Sequence, residues 1–120
     1  MKIRNLLELT MAAAMTASMT AGVAGAEEGG VAPEDLKVGV IYIGDENEGY
    51  TSAHMAGIDE MQEALGLDDS QIIEKPLIGE DEACADAAYD LADQGCDVVF
   101  ATSFGHETYV LEPAADYPEV

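Results

Sequence analysis

Residues 37–43 read Lys37-Val-Gly-Val-Ile-Tyr-Ile43, a continuous apolar run with the length and the β-branched content of a strand. The run ends at Gly44-Asp45-Glu46-Asn47, whose residue types favour a turn. A strand that is apolar on both faces is typical of the centre of a parallel sheet with helices on each side. This stretch therefore predicts an α/β fold.

The rest of the chain alternates between helical and strand-like patterns. The predicted order is helix 50–65, strand 71–75, helix 81–94, strand 96–101 and helix 106–116. Short connections of this kind require right-handed crossovers and a parallel sheet. We expect a partial doubly wound sheet of three strands and three helices. The pattern calls for a fourth strand after Val120, so we also expect the chain to be truncated there.

The first predicted helix has a defined apolar stripe and a defined end. Gly66 is expected to end the helix, because glycine accepts the left-handed conformation that follows a last helical turn. Pro76 in turn prevents the second strand from continuing within the sheet. The predicted stripe comprises Ala53, Gly57, Ile58, Met61, Ala64 and Leu65.

The N-terminal segment has the pattern of a secretory signal peptide over residues 1–26. Lys2 and Arg4 supply the positive start, an apolar stretch follows, and Ala24-Gly25-Ala26 has the form of a cleavage site. A helical or disordered N-terminal tail is the alternative. Residues 27–36, polar and containing Gly and Pro, are expected to form a flexible linker. We therefore expect export to the periplasm or to the outer face of the plasma membrane.

Acidic side chains dominate the composition. The chain carries 25 Asp and Glu against 4 Lys and Arg, a formal net charge of −21. Nucleic acids and anionic membrane surfaces are bound through Lys and Arg, so no nucleic-acid partner is expected. The charge is explained by solubility of an exported protein, and adaptation to high salt would give the same composition.

The two cysteines are predicted to be buried free thiols. Cys84 lies near the start of the helix predicted over 81–94, and Cys96 lies just past its end. The length of that helix separates them by more than the span of a disulfide. Cys84 shares a helical stripe with Ala87, Ala88 and Leu91.

Ligands of open α/β sheets bind beyond the carboxyl ends of the strands, where successive loops converge. Two loops have that position, residues 44–51 and 102–106. Carboxylates accept hydrogen bonds from hydroxyl and N–H groups, and aromatic rings stack on flat surfaces. Such a site suits a neutral nucleoside or sugar and repels phosphate. The candidate residues are Asp45, Glu48, Gly49 and Tyr50 in the first loop and Ser103, Phe104 and Gly105 in the second.

Each candidate also has a structural interpretation. Asp45 and Glu48 would favour a helix N-terminus through its dipole. Tyr50 and Phe104 would pack at the edge of the core. Ser103, or Asp45 with Glu48, would be the catalytic groups of a small exported hydrolase, although the G-x-S-x-G motif and a defined histidine partner are missing.

Motifs for other chemistry are absent from the sequence. It contains neither G-x-x-x-x-G-K-[ST] nor G-x-G-x-x-G after the first strand. Asp45-Glu-Asn-Glu-Gly49 is acidic, but its glycine comes one position too early for a calcium-binding EF-hand loop. The two His and two Cys do not have zinc-site spacing. No cofactor and no metal are therefore expected.

Two segments resemble one known family. Lys37-Val-Gly-Val-Ile-Tyr-Ile-Gly-Asp-Glu-Asn-Glu-Gly-Tyr-Thr-Ser-Ala-His54, followed by Gly57, is similar to the opening of the basic membrane protein (BMP) family, the PnrA-like substrate-binding proteins of ABC transporters. Gln94-Gly-Cys-Asp-Val-Val-Phe-Ala-Thr-Ser-Phe-Gly105 resembles the third-strand segment of the same family, and Tyr117-Pro-Glu-Val120 the junction after it. The similarity covers residues 36–120.

The resemblance implies a type I periplasmic-binding-protein-like fold, with residues 37–120 as part of the N-terminal lobe. It implies a monomeric protein that is not an enzyme, holds a ligand between two lobes and delivers it to an ABC permease. Family members bind purine nucleosides, and Asp45 and Tyr50 match the contributing acidic and aromatic positions. Ser103-Phe104-Gly105 matches the second cleft-facing loop. Many relatives have Trp or Phe-Asn in place of Gly49-Tyr50, and a non-functional fragment is the remaining alternative.

Overall fold

The computed structural model describes residues 29–120, and the predicted signal peptide over 1–26 lies outside the described residues. Its regular elements confirm the predicted alternation. Each strand is shorter than the stretch of sequence that predicts it. The remaining residues at the ends of each stretch lie in the connections between elements. The elements are β1 (Val38–Ile41), α1 (Gly49–Leu65), β2 (Ile72–Lys75), α2 (Glu82–Asp93), β3 (Val98–Ala101) and α3 (Glu107–Asp116), with single 3₁₀ turns at Asp69–Gln71 and Phe104–His106.

The three strands form one parallel sheet in the order β2-β1-β3. Val38 lies opposite Ile72 on one side and Val98 on the other. All four residues of β1 are buried, as expected of a central strand with both faces covered. The sheet thus has the partial doubly wound α/β arrangement that the sequence predicts.

The residues of β1 alternate between two apolar layers. Val38, Val40 and Tyr42 face one layer, where Met55 and Ile58 of α1 pack against them. The phenol of buried Tyr42 donates a hydrogen bond of 2.6 Å to Glu74 of β2. This layer holds α1 to β1 and β2.

The second layer lies against α2 and α3. Ile41 packs there with Leu91 and Cys84 of α2, and Val110 of α3 adds to the layer. A Cβ at Gly39 would lie 2.9 Å from Cδ1 of Leu91, so only glycine lets α2 approach β1 this closely. Helices therefore cover both faces of the sheet.

The predicted apolar stripe of α1 is wrong in part. Ile58 and Met61 pack against the sheet as expected, and Met55 joins them. Ala53, Gly57, Ala64 and Leu65 are instead exposed. The first turn explains this rotation, because the amide of Gly44 donates to the Thr51 hydroxyl (3.1 Å) and buries Thr51 on the sheet side.

Both cysteines are free and buried, which confirms that prediction. Within the predicted linker, Leu36 packs against the α1 layer. The side-chain amide of Gln71 donates to the carbonyl groups of Pro33 (2.8 Å) and Leu36 (2.7 Å), so this part of the segment is tied to the start of β2. In residues 29–120, no helix is long and apolar enough to cross a membrane.

Candidate ligand-binding site

The strand order places the two predicted site loops side by side. Because β3 pairs directly with β1, the loops that follow these strands leave the sheet as neighbours. The amide and hydroxyl of Thr102 both donate to the carbonyl of Ile41, at 3.1 and 3.0 Å. The Tyr50 hydroxyl donates to the carbonyl of Thr102. The crevice between β1 and β3, where the chain turns from one face of the sheet to the other, is the usual ligand position in such folds.

In the first loop, Glu48 caps α1. One carboxylate oxygen accepts from the amide of Tyr50 (2.7 Å) and the other from the amide of Thr51 (2.8 Å). These two backbone hydrogen bonds hold the pKa of Glu48 below its usual value. The structural interpretation of Glu48 is therefore confirmed, because its side chain caps the N-terminus of α1. Gly49 is the first residue of the helix.

Asp45 does not cap the helix. Its Oδ1 accepts from the backbone amide of Asn47 (2.9 Å) and from the side-chain amide of the same residue (3.2 Å). Its second oxygen has no hydrogen-bond partner among residues 29–120, and the side chain is half-buried. A carboxylate oxygen without a protein partner, in the loop after β1, can accept a hydrogen bond from a hydroxyl or N–H group of a ligand.

In the second loop, Ser103 and Gly105 share one acceptor. Oε1 of Glu80, in the connection between β2 and α2, accepts from the Ser103 hydroxyl (2.5 Å) and the Gly105 amide (2.9 Å). These bonds hold the pKa of the Glu80 carboxyl below its usual value. The backbone amide of Ser103 donates to Nδ1 of His106 (3.4 Å), and Nε2 of that ring lies 3.0 Å from the carbonyl of Ile78. Both ring nitrogens of His106 are thus engaged by the backbone rather than by the Ser103 hydroxyl.

The two aromatic candidates are exposed at this edge of the sheet. Phe104 is 90% exposed, so it does not pack at the edge of the core. Tyr50 is 50% exposed, and its ring meets that of His54 edge to face at 4.6 Å between centroids. Burial of these rings against a ligand would be favourable.

Tyr50, Thr102, Ser103 and Phe104 line a cavity of about 660 Å³. The mainly apolar lining also includes Val99 of β3, Pro113 of α3, Tyr117 and Val120. Its volume lies within the range of about 300–1,000 Å³ that small-molecule sites occupy. Among residues 29–120, no group of three or more His, Cys, Asp or Glu is arranged to hold a metal ion.

The structure brings Glu80, which the sequence interpretation missed, to the site, and it adds Thr102, which lies in the predicted second loop but was not among the candidate residues. Glu80 follows β2 at the same edge of the sheet as the other two loops. The rule that ligand loops follow parallel strands applies equally to this third loop, and that signal could have found it.

No protein-family model matches the sequence, and no curated protein matches it. A solved structure that is similar in fold is an ABC transporter solute-binding protein from Conexibacter woesei, with a TM-score of 0.59 and 24% sequence identity. The match covers 71% of this chain and 27% of that chain. The likeness shows the fold, and it confirms an α/β lobe of the periplasmic-binding-protein type.

Proposed function

We propose that residues 37–120 form part of the N-terminal lobe of an extracytoplasmic solute-binding protein that supplies an ABC permease. The observation that carries the proposal is the exposure of Phe104 and Tyr50 at the crevice between β1 and β3. The fold it shares with a solute-binding protein supports the same role. In the proposed protein, residues 1–26 direct export and residues 27–36 link the signal to the lobe.

The proposed ligand is a neutral, flat and polar molecule, with a purine nucleoside as the first choice. Phe104 and Tyr50 offer aromatic surface for a base, while Asp45 offers a carboxylate oxygen for hydroxyl or N–H groups. The net charge of −21 disfavours phosphorylated forms of the same ligand. The resemblance of residues 37–54 and 94–105 to PnrA-like proteins supports a member of that family.

The proposed role is binding without chemistry. The Ser103 hydroxyl donates to Glu80, and both ring nitrogens of His106 are engaged by backbone groups. A hydrolase of the Ser-His type would need the His106 ring as the base on that hydroxyl. We therefore favour a binding protein that acts as a monomer over an exported hydrolase.

A second lobe is part of the proposal. The chain spans 27% of the length of the solved solute-binding protein. The cavity between β3 and α3 has a mainly apolar lining, and Phe100, outside this lining on the edge strand β3, is 42% exposed. In the proposed protein, further chain covers these surfaces. In a two-lobed protein, Asp45, Tyr50 and Phe104 would form one wall of the cleft.

Titration of the 15N-labelled chain with adenosine tests the proposal. We expect amide shifts in residues 44–51 and 102–106, a much weaker response to adenosine monophosphate, and loss of the response in Phe104→Ala. Leu111→Ala, which replaces an exposed apolar residue on α3, serves as the control and should respond like the original chain. Shifts confined to other surfaces, or no shifts at millimolar adenosine, would contradict the proposed site.

A further inference from the structure

The connection between β2 and α2, residues 76–81, contacts both site loops. The amide of Leu77 donates to the carbonyl of Gly44 in the first loop (3.0 Å). On the other side, Glu80 accepts from the Ser103 hydroxyl and the Gly105 amide of the second loop. This connection therefore joins two loops that otherwise meet through Tyr50 and Thr102.

Gly105 fits Glu80 sterically. A Cβ added to Gly105 would overlap the carboxylate carbon and both carboxylate oxygens of Glu80. Gly105 does not have the positive φ that would itself require glycine. The Glu80 carboxylate occupies the space that a side chain at position 105 would need, so Glu80 can take this position only because residue 105 is glycine.

Phe104 lies between the two hydrogen-bonded residues. Its ring is 90% exposed, so side-chain packing contributes little to its placement. The Ser103 hydroxyl and the Gly105 amide both donate to one oxygen of Glu80, so the residues on either side of Phe104 are tied to the same side chain. The direction of the Cα–Cβ bond of Phe104 therefore depends in part on a residue in a different connection.

We propose that Glu80 is a positioning residue of the ligand site, which clamps Ser103-Phe104-Gly105 and so holds the backbone that presents Phe104 to the ligand. This inference rests on the proposed function, because it assigns Phe104 to ligand contact. Without the clamp, binding must order the loop and the ring. The cost of ordering one such side chain corresponds to about a two- to tenfold loss of affinity.

Four variants of the full chain separate the clamp from simple stability: Glu80→Gln, Glu80→Ala, Gly105→Ala and the double variant Glu80→Ala/Gly105→Ala. Glu82→Ala, at an exposed position in the first turn of α2, is the control. Two measurements need no ligand. They are hydrogen exchange of the Gly105 amide and the unfolding free energies of the variants.

We expect faster exchange of the Gly105 amide in Glu80→Ala, partial protection in Glu80→Gln, which keeps an acceptor oxygen, and no change in Glu82→Ala. Gly105→Ala should lower the unfolding free energy of the original chain. It should lower it much less in the Glu80→Ala background, because the added methyl group no longer overlaps the Glu80 carboxylate. Equal cost of Gly105→Ala in both backgrounds, or unchanged exchange in Glu80→Ala, would overturn the clamp.

Adenosine titration then tests the positioning role. We expect affinity to fall about two- to tenfold in Glu80→Ala, with recovery in Glu80→Gln and no change in Glu82→Ala. A chain whose Gly105 amide is released but whose adenosine affinity is unchanged would overturn the role of Glu80. Failure of the original chain to bind adenosine would instead overturn the proposed function, while the exchange and stability measurements would still decide the clamp.

Discussion

From the sequence, Glu48 could either contact a ligand or stabilise the N-terminus of a helix. The structure shows that its side chain caps the N-terminus of α1. Both of its carboxylate oxygens accept backbone N–H groups of the first turn of α1. These groups have no partner within the helix, so a side-chain acceptor stabilises the helix start. Its neighbour Asp45 keeps one oxygen without a partner in the described residues. Of the two acidic candidates, Asp45 is therefore the better one for ligand contact.

Replacement of Glu48 by alanine should lower the melting temperature at pH 7. The folded pKa of Glu48 is lowered, so its contribution is full above the unfolded value of about 4.3 and is lost as the pH falls through the folded value. The difference between Glu48→Ala and the original chain should therefore shrink in acid. Thermal denaturation at pH 7 and at pH 3 measures it.

The control for this prediction is Glu46→Ala. Glu46 is exposed in the same loop and accepts no hydrogen bond from any residue between 29 and 120. It should change the melting temperature little at either pH. A Glu48→Ala effect that is equal at pH 7 and pH 3 would show that the carboxylate does not act as an ionised cap.

The two thiols should be unreactive in the folded protein. Cys84 is fully buried and Cys96 is 3% exposed, and burial raises the pKa of both thiols. We expect negligible reaction with a chromogenic disulfide reagent under native conditions and two reactive thiols in denaturant. Rapid native labelling of either thiol, or fewer than two thiols in unreduced denatured protein, would contradict this arrangement.

At the scale of elements, the contact between α2 and β1 depends on a glycine in the strand. Leu91 is fully buried, and its side chain occupies the space that the missing Cβ of Gly39 leaves. Close packing of this kind makes the core sensitive to small changes of volume. α2 and α3 are also joined by hydrogen bonds from Tyr89 to Asp116 (2.7 Å) and from Tyr117 to Asp93.

Leu91→Ala should lower the free energy of unfolding by about 2–5 kcal/mol, the range for a large-to-small change that leaves a cavity. Leu111→Ala on α3 is the matched control, because Leu111 is 63% exposed. It should change the free energy of unfolding by less than about 0.5 kcal/mol. Denaturant titration compares the two. Equal effects would mean that α2 does not pack against the sheet as described.

Helix α1 shows how an element can be predicted correctly but with the wrong face. Its bounds agree with the pattern, and its last turn ends at Gly66, whose φ of 67° is the left-handed conformation expected there. The predicted rotation of the helix about its axis was wrong, since small residues such as Ala53 and Gly57 are exposed to solvent instead of facing the sheet. Alanine and glycine fit both a core and a surface, so they define a stripe weakly.

For the whole molecule, the net charge of −21 means that the acidic side chains repel one another and destabilise the folded state. Raising NaCl from low concentration should raise the melting temperature at pH 7, because salt screens repulsion beyond a Debye length of about 10 Å at 0.1 M. Near pH 4, close to the isoelectric point of about 4.1, the salt effect should be small. A melting temperature that falls or stays constant with salt at pH 7 would contradict this account.

In the proposed two-lobed protein, the described part of the chain forms one wall of a cleft. Tyr50 and Phe104 line the cavity and are exposed, and β3 lies at the edge of the sheet. Two-lobed binding proteins enclose their ligands between walls of this kind, which excludes water from the contacts. We therefore expect weak binding by this chain and tighter binding by a protein that carries both lobes.

The sequence by itself determined the alternation of strands and helices, the parallel sheet and the loops that hold the candidate residues. These features follow from patterns within short windows: β-branched apolar runs, helical spacing, and glycine at helix ends. The strands β1 and β3 lie within the predicted stretches 37–43 and 96–101 for this reason. Export and the identity of the ligand are proposals that rest on other features, the N-terminal pattern of residues 1–26 and the residues of the two site loops.

Only the tertiary structure decided the order β2-β1-β3, the rotation of α1, the exposure of Phe104 and the contact of Glu80 with Ser103 and Gly105. Glu80 and Ser103 are 23 positions apart in the chain. Nothing in the local pattern of either residue specifies the other, because their meeting depends on which strands pair and on how the intervening helix packs.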